Sequence, residues 1–296
     1  MQNAYGVLSL SLWERRIEGS VRYRRGFVET MRFYDALGTP IEHPKRKKNW
    51  STGLAYNGKI DITDDAVDPR KGIRVEGAKW FGHTEDPLSS TFDTTAIGAT
   101  LYIPIGGRFS TLAMNYFVSE SVDKSINTAT EEQLREKYGL ECDQIADSEK
   151  SATCTKIEDR YIADKQRYNQ YGNAQKLGGS QRLRSYSSQR FIGKHSQTYG
   201  LEYRMNLTDE RTPFDLFIMK GVRTGIQIAT FADVGTVSET EISPTYSDDL
   251  YRKSYGAGIR IIASSVVLRL DVAKGDEGTE ATVILGYPWS LFSIDQ

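Results

Sequence analysis

Arg184, Glu202, Arg204 and Asp233 are the charged side chains whose spacing sets the chemistry open to this chain. Arg184 lies in a polar loop, within the run Leu183-Arg184-Ser185-Tyr186. The loop leads into a segment carrying Glu202 and Arg204, and Asp233 follows about one strand later. A guanidinium can fork two carboxylates, and such charge-assisted bonds strengthen where water is partly excluded. The chemistry on offer is therefore ion pairing. The residues alone leave two readings open: solvated polar groups lining an interior, or partners in one buried ion pair.

Turnover chemistry finds no support. The chain has no Gly-x-Ser-x-Gly elbow, no phosphate-binding Gly-Lys-Ser/Thr loop and no metal-spaced His/Glu motif. His43, His83 and His195 are far apart in sequence, and the two cysteines, Cys142 and Cys154, do not make a zinc site by themselves. No catalytic residue, metal or cofactor is expected, and the chain is not read as an enzyme.

The elements that must position these charges show a period of two. Between Tyr199 and Leu207 the odd positions are apolar, while Gly200, Glu202, Arg204 and Asn206 face the other way. Asp233 shares its stripe with Gln227, opposite Ile226, Ile228 and Val234. Template matching gives about 11 strands, near 4–13, 18–28, 49–63, 72–81, 91–105, 108–119, 198–208, 225–235, 253–263, 265–273 and 279–292. A charged pair on one face of such strands needs a polar interior, which a transmembrane β-barrel supplies.

Bulk composition agrees. The 296 residues carry a net charge of −1 and a mean hydropathy of −0.49, with no apolar run long enough for a membrane-spanning helix. The near-neutral balance argues against nucleic acid as a partner. Connections after the odd strands are mostly short (14–17, 64–71, 106–107, 209–224, 264), whereas those after the even strands include 29–48, 120–197 and 236–252. Outer-membrane barrels sort their turns and loops in this way. The expected fold is all-β, an antiparallel transmembrane β-barrel.

Marks in a fixed order give the chain a family resemblance from about Trp50 to Phe292. They are Asp68-Pro69-Arg70-Lys71-Gly72 opening a strand, Tyr102-Ile103-Pro104-Ile105, the Arg184 loop, Glu202, Phe231-Ala232-Asp233-Val234-Gly235, and Gly256-x-Gly258-x-Arg260. In these the chain resembles the carboxyl-terminal barrel of the BamA/TamA superfamily, the bacterial surface antigen family. The resemblance implies that a long sixth extracellular loop folds back into the lumen. There Arg184 would contact Glu202 and Asp233 as a clamp. Where the family has Gly after the loop Arg, this chain has Ser185.

The resemblance further implies a bacterial outer-membrane location and a role in assembling or inserting other outer-membrane proteins. Its partners would be membrane lipids, unfolded substrates and periplasmic accessory proteins. The alternative is a translocation pore, or an anchor for an attached domain such as a patatin-like lipase. Gly286, Trp289, Leu291 and Phe292 match a terminal-strand signal, interrupted at Pro288, which lacks an N–H donor.

Barrels of that family have about 16 strands, so residues 1–296 are expected to be the carboxyl-terminal part of a larger barrel, or else a truncated gene product. About five leading strands, an export signal and any periplasmic repeats would precede it. The insertion at 121–197 is expected to hold a short capped helix near Thr130. Outside the cell, Cys142 and Cys154 could form one disulfide. The run Lys45-Arg46-Lys47-Lys48 is expected in an outer loop.

Overall fold

Alternation at period two fixes which side chains share a face, and the computed structural model follows it in residues 2–45, 48–208, 214–216, 219–240, 242, 250–264 and 266–291, the residues described below. The elements begin with β1 (Gln2–Leu12), β2 (Ile17–Val28), β3 (Arg32–Tyr34), β4 (Pro40–Glu42), β5 (Asn49–Thr63), β6 (Gly72–Thr84), β7 (Thr91–Pro104) and β8 (Ser110–Ser125). Helices α1 (Glu131–Tyr138) and α2 (Ser148–Tyr171) come next. The chain continues with β9 (His195–Asn206), β10 (Phe214–Leu216), β11 (Met219–Val222), β12 (Thr224–Ser238), β13 (Arg252–Ala263), β14 (Val266–Gly275) and β15 (Gly278–Leu285).

One antiparallel sheet of 11 strands runs β1-β2-β5-β6-β7-β8-β9-β12-β13-β14-β15. The pairs β3–β4 and β10–β11 are small ribbons within connections. Among the described residues β1 and β15 do not pair, so each is an edge. The sheet curls strongly. Asp68, in the turn before β6, accepts from Gln227 Nε2 on β12 at 2.9 Å although β7, β8 and β9 lie between.

The two faces invert the pattern of a water-soluble sheet. On β9, Tyr199, Leu201, Tyr203 and Met205 are exposed while Ser196, Thr198, Glu202 and Arg204 are buried. On β12, Ile226 and Ile228 are exposed while Gln227 and Asp233 are buried. An apolar surface this extended is unfavourable against water, and an apolar outer face over a polar inner one is the distribution of strands that face lipid. No helix among the described residues is long and apolar enough to cross a membrane.

Several expectations are corrected. The final strand stops at Leu285 instead of continuing to 292: Gly286 and Trp289 take φ of 96° and 71°, which ends the extended run. Gly286, Trp289 and Leu291 therefore lie on a tail that turns inward, and Phe292 falls outside the described residues. The ladder thus ends before Pro288 is reached. The insertion is narrower than 121–197, because β8 runs to Ser125 and β9 starts at His195.

Its helical part is larger than the short helix expected. Beside α1, with its Thr130–Gln133 capping box, stands the 24-residue α2, capped by Asp147. The α2 sequence is polar and its apolar positions are sparse, so periodicity gave little signal. Loop lengths are less sorted than expected, since 85–90 and 276–277 are short turns at the long-loop end. Within the run 45–48, Arg46 and Lys47 lie outside the described residues.

The long connections pack into a cap. Leu134, Tyr138 and Ile162 of the helices meet Leu88, and Leu140, Cys142 and Cys154 meet Phe33 and Ile41 of the β3–β4 ribbon. Cys142 and Cys154 are disulfide-bonded, with Cα atoms 5.5 Å apart. Asp86 joins the cap to the sheet through the Lys137 ammonium and the Tyr138 hydroxyl. Burial opposes ionisation of Asp86, but these donors prevail and hold its carboxyl down at about 2.

A carboxylate with a depressed folded pKa gives stability that is complete above its unfolded value, and that stability is lost as pH falls through the folded one. The cap should therefore loosen between about pH 4 and pH 2, read as increased cleavage of residues 126–171 by an acid-active protease. Asp86→Asn should be looser at neutral pH and lose that acid dependence. Reducing the disulfide should weaken the cap locally by about 3 kcal/mol, measurable as faster amide exchange around 142–154.

Candidate functional site

After α2 the chain enters the interior as an extended double run, closed by the Leu177–Phe191 bridge. Its walls are fixed to β8 and β9: Gln175 N–H donates to Ser119 Oγ at 2.9 Å, and Ser196 Oγ donates to Gln175 O at 2.8 Å. At the tip, Leu183-Arg184-Ser185-Tyr186 forms a tight turn, with Tyr186 N–H donating to Leu183 O at 3.1 Å. All four are buried. Leu183 takes φ 54°, a sparsely populated conformation for its side chain, and is held there by Phe117, Leu177 and Leu291.

The structure brings Arg184, Glu202 and Asp233 together. Arg184 Nε and Nη2 donate to the two oxygens of Asp233 at 2.8 and 3.1 Å, and Nη1 donates to Glu202 Oε2 at 2.6 Å. The guanidinium also lies 3.5 Å over the Phe231 ring. Two-pronged recognition of one carboxylate plus a third bond to another uses the whole planar fork, which Lys could not reproduce.

Sequence reading found three members of a larger cluster. Asp271 accepts from Arg184 Nη1 at 3.4 Å and is bound closely by Arg260 Nη1. Arg260 Nη2 reaches Glu202 Oε2 at 3.0 Å, and Arg204 Nε reaches Glu202 Oε1 at 2.8 Å. Arg269 stands 3.5 Å from Asp271 and donates to Ser180 O. All of these side chains are buried. Their inward parity on β9, β13 and β14 was visible in the sequence, but parity cannot say which inward charges meet across a curled sheet.

Ser185, where the family has Gly, fits because its neighbours are small. Its N–H donates to Ser254 Oγ at 2.9 Å, and a Cβ added to Gly275 would sit 3.1 Å from Ser185 Cβ. Tyr186 donates to Lys253 O, and its oxygen lies 3.1 Å from Asp276 Oδ2.

The tail reaches the same place from the other end. Tyr287 bonds to Asp68 and Gln227, the Trp289 carbonyl accepts from Arg182 Nη2 at 3.1 Å, and Leu291 N–H donates to Glu76 Oε2 at 2.8 Å. The Trp289 indole covers Gly200, where an added Cβ would lie 2.6 Å from its Nε1. Its N–H points at Asp233 Oδ1, 3.4 Å away. The terminal motif thus serves the interior cluster. No grouping of His, Cys, Asp and Glu suited to a metal occurs among the described residues.

Arg184→Ala would leave Glu202 and Asp233 each short of a partner, a change that costs about 3–5 kcal/mol in a buried pair. Protease cleavage within 176–192 should rise markedly while the cap disulfide remains intact, and Arg184→Lys should recover only part of the protection. Unchanged cleavage in Arg184→Ala would show that the ion pairs do not hold the loop.

No curated protein matches the chain significantly. The family model of the Omp85 superfamily domain matches residues 14–283, which takes in every strand of the cluster and the loop that carries Arg184. With an antiparallel sheet apolar on its outer face and a loop arginine bound inside it, the chain belongs to the Omp85 superfamily of outer-membrane protein insertion and translocation.

Proposed function

We propose that this protein is an outer-membrane β-barrel that assembles or inserts other outer-membrane proteins, working through a strand edge rather than through a conduit. The observation that carries this reading is the packing of the loop and tail against the inner face of the sheet. Leu177, Leu183 and Tyr186 of the loop and Leu291 of the tail form one buried apolar cluster with Phe117 of β8, beside the Arg184 ion pairs. A passive pore needs an open polar passage, and the loop and tail would stand across one.

Among the described residues, edge strand β15 has no strand partner on the side away from β14. Such an edge can template a strand of an incoming substrate through main-chain hydrogen bonds. In this reading Arg184 is a positioning residue. It holds the loop against β9, β12 and β14, so that curvature is kept while the edge exchanges partners. The partners are unfolded outer-membrane proteins, with periplasmic accessory proteins delivering them. The alternative role is a translocation pore or an anchor for an attached domain, and it would require the loop to leave the interior.

Reconstitution of the chain into phosphatidylcholine vesicles tests this. Folding of a urea-denatured outer-membrane protein, followed by its gel mobility shift, should be several-fold faster than in empty vesicles, and the acceleration should be lost in Arg184→Ala. Steady ion conductance without any acceleration would favour the pore instead.

A further inference from the structure

The outer face is not uniformly apolar. On β2, β5 and β6 the outward positions are 17 to 27 (odd), 50 to 62 (even) and 73 to 83 (odd), as the pairings Val21–Tyr56 and Tyr56–Lys79 show. Toward the short-turn end these positions are Ile17, Ile60, Ile62, Ile73 and Val75. Arg25 and Lys79, the only Arg or Lys among them, sit in the half nearer the long loops, with His83 level with Arg25 across Thr52 and Lys48 just before β5.

Each of these three cations lies over an aromatic ring. Arg25 Cζ is 5.3 Å from the Trp50 ring, Lys48 Nζ is 4.7 Å from Phe27, and Lys79 Nζ is 5.1 Å from Phe81. The rings tile the surface, with Phe27 against Trp50 at 4.9 Å and Tyr56 edge-on to Phe81 at 5.7 Å. Among the described residues the one carboxylate paired with this set is Glu85, 3.4 Å from Arg25 and itself exposed. Asp93, on the next strand, is paired with Lys124 at 3.8 Å. The patch therefore keeps an excess of positive charge.

A cation laid over a ring is kept in the plane of the outer surface, where an interfacial headgroup would meet it. Arg25 and Lys79 are two strand spacings apart and four residues apart in height, a backbone separation of about 16 Å. Two long side chains spanning that interval match two separate phosphates better than one. Beside the patch, a shallow groove of about 390 Å³ is walled by Leu8, Leu10, Val21 and Tyr56 over Gly19, with Ser9, Ser20 and Asn57 at its floor or margin. It gives an acyl chain a seat on the apolar part of the same face.

From this geometry we infer that the Arg25–Lys48–Lys79 face binds a lipid of the surrounding leaflet whose headgroup carries two phosphates. The inference rests on the barrel reading above, since only a chain embedded in a membrane presents this face to lipid. Clustered basic residues at a membrane surface each add binding energy toward anionic headgroups, and the aromatic backing selects the interfacial level.

The test uses the full chain folded in detergent and stripped of lipid, with diphosphorylated lipid A and its dephosphorylated form as probes, and bound lipid read by native mass spectrometry. The parent should retain the diphosphorylated form preferentially. The Arg25→Gln/Lys48→Gln/Lys79→Gln variant should bind it about tenfold or more weakly, whereas Arg25→Lys/Lys48→Arg/Lys79→Arg should bind as the parent does. Tryptophan quenching by brominated phosphatidylcholine, in vesicles, reports embedding independently. Quenching with equal binding by the neutral triple variant would overturn the lipid site alone, and absence of quenching in the parent would overturn the barrel reading and the site together.

Discussion

Burying charge on the inside of a sheet while leaving its outside apolar is the constraint on which the rest of this structure depends. Arg184, Arg204, Arg260 and Arg269 face Glu202, Asp233 and Asp271 with almost no access to water. Each carboxylate must therefore be satisfied by guanidinium groups from other elements. Desolvation makes isolated charges here prohibitive, so the cluster is stable only when loop, β9, β12, β13 and β14 are all in place. The ion pairs act less as a source of net stability than as a selection rule: few arrangements of loop and sheet satisfy all of them at once.

That rule explains why two segments from opposite ends of the fold converge. The loop descends after α2 and presents Arg184. The tail turns back after Leu285 and lays Trp289 on Gly200, beside Asp233. Leu183 and Leu291 belong to one buried apolar cluster, which gives the two segments a common core within an otherwise polar interior. With loop and tail packed on the inner face, β1 and β15 remain, among the described residues, edges without a strand partner, which is the physical basis for reading the protein as an edge-based assembly factor. The cap of α1, α2 and the β3–β4 ribbon is closed by its own disulfide and joined to the sheet by Asp86.

The outer face obeys a complementary rule. Where the inside concentrates charge, the outside excludes it except near one rim, and there the cations are backed by rings. Two solvents, lipid outside and a partly dehydrated interior, account for both patterns with the same period-two strand.

Much of this was legible in the residues. The alternation of Tyr199 to Met205 against Glu202 and Arg204 located β9 and its inward face, and the same logic placed Asp233 on the inner side of β12. Side-chain direction along a strand is a local property, set by the pleat, so sequence alone determined it. Family marks then named Arg184 as the partner of Glu202 and Asp233. Contacts between distant strands depend instead on how far the sheet curls, and no local pattern encodes that angle. Asp271 and Arg260 therefore entered the cluster only with the tertiary structure. The tail shows the same divide: Trp289 and Leu291 read as one more alternating strand, because period two cannot distinguish a ladder partner from a segment that turns inward. Backbone dihedrals at Gly286 and Trp289, and the hollow above Gly200 that accepts the indole, decided the matter, and both are products of the assembled sheet.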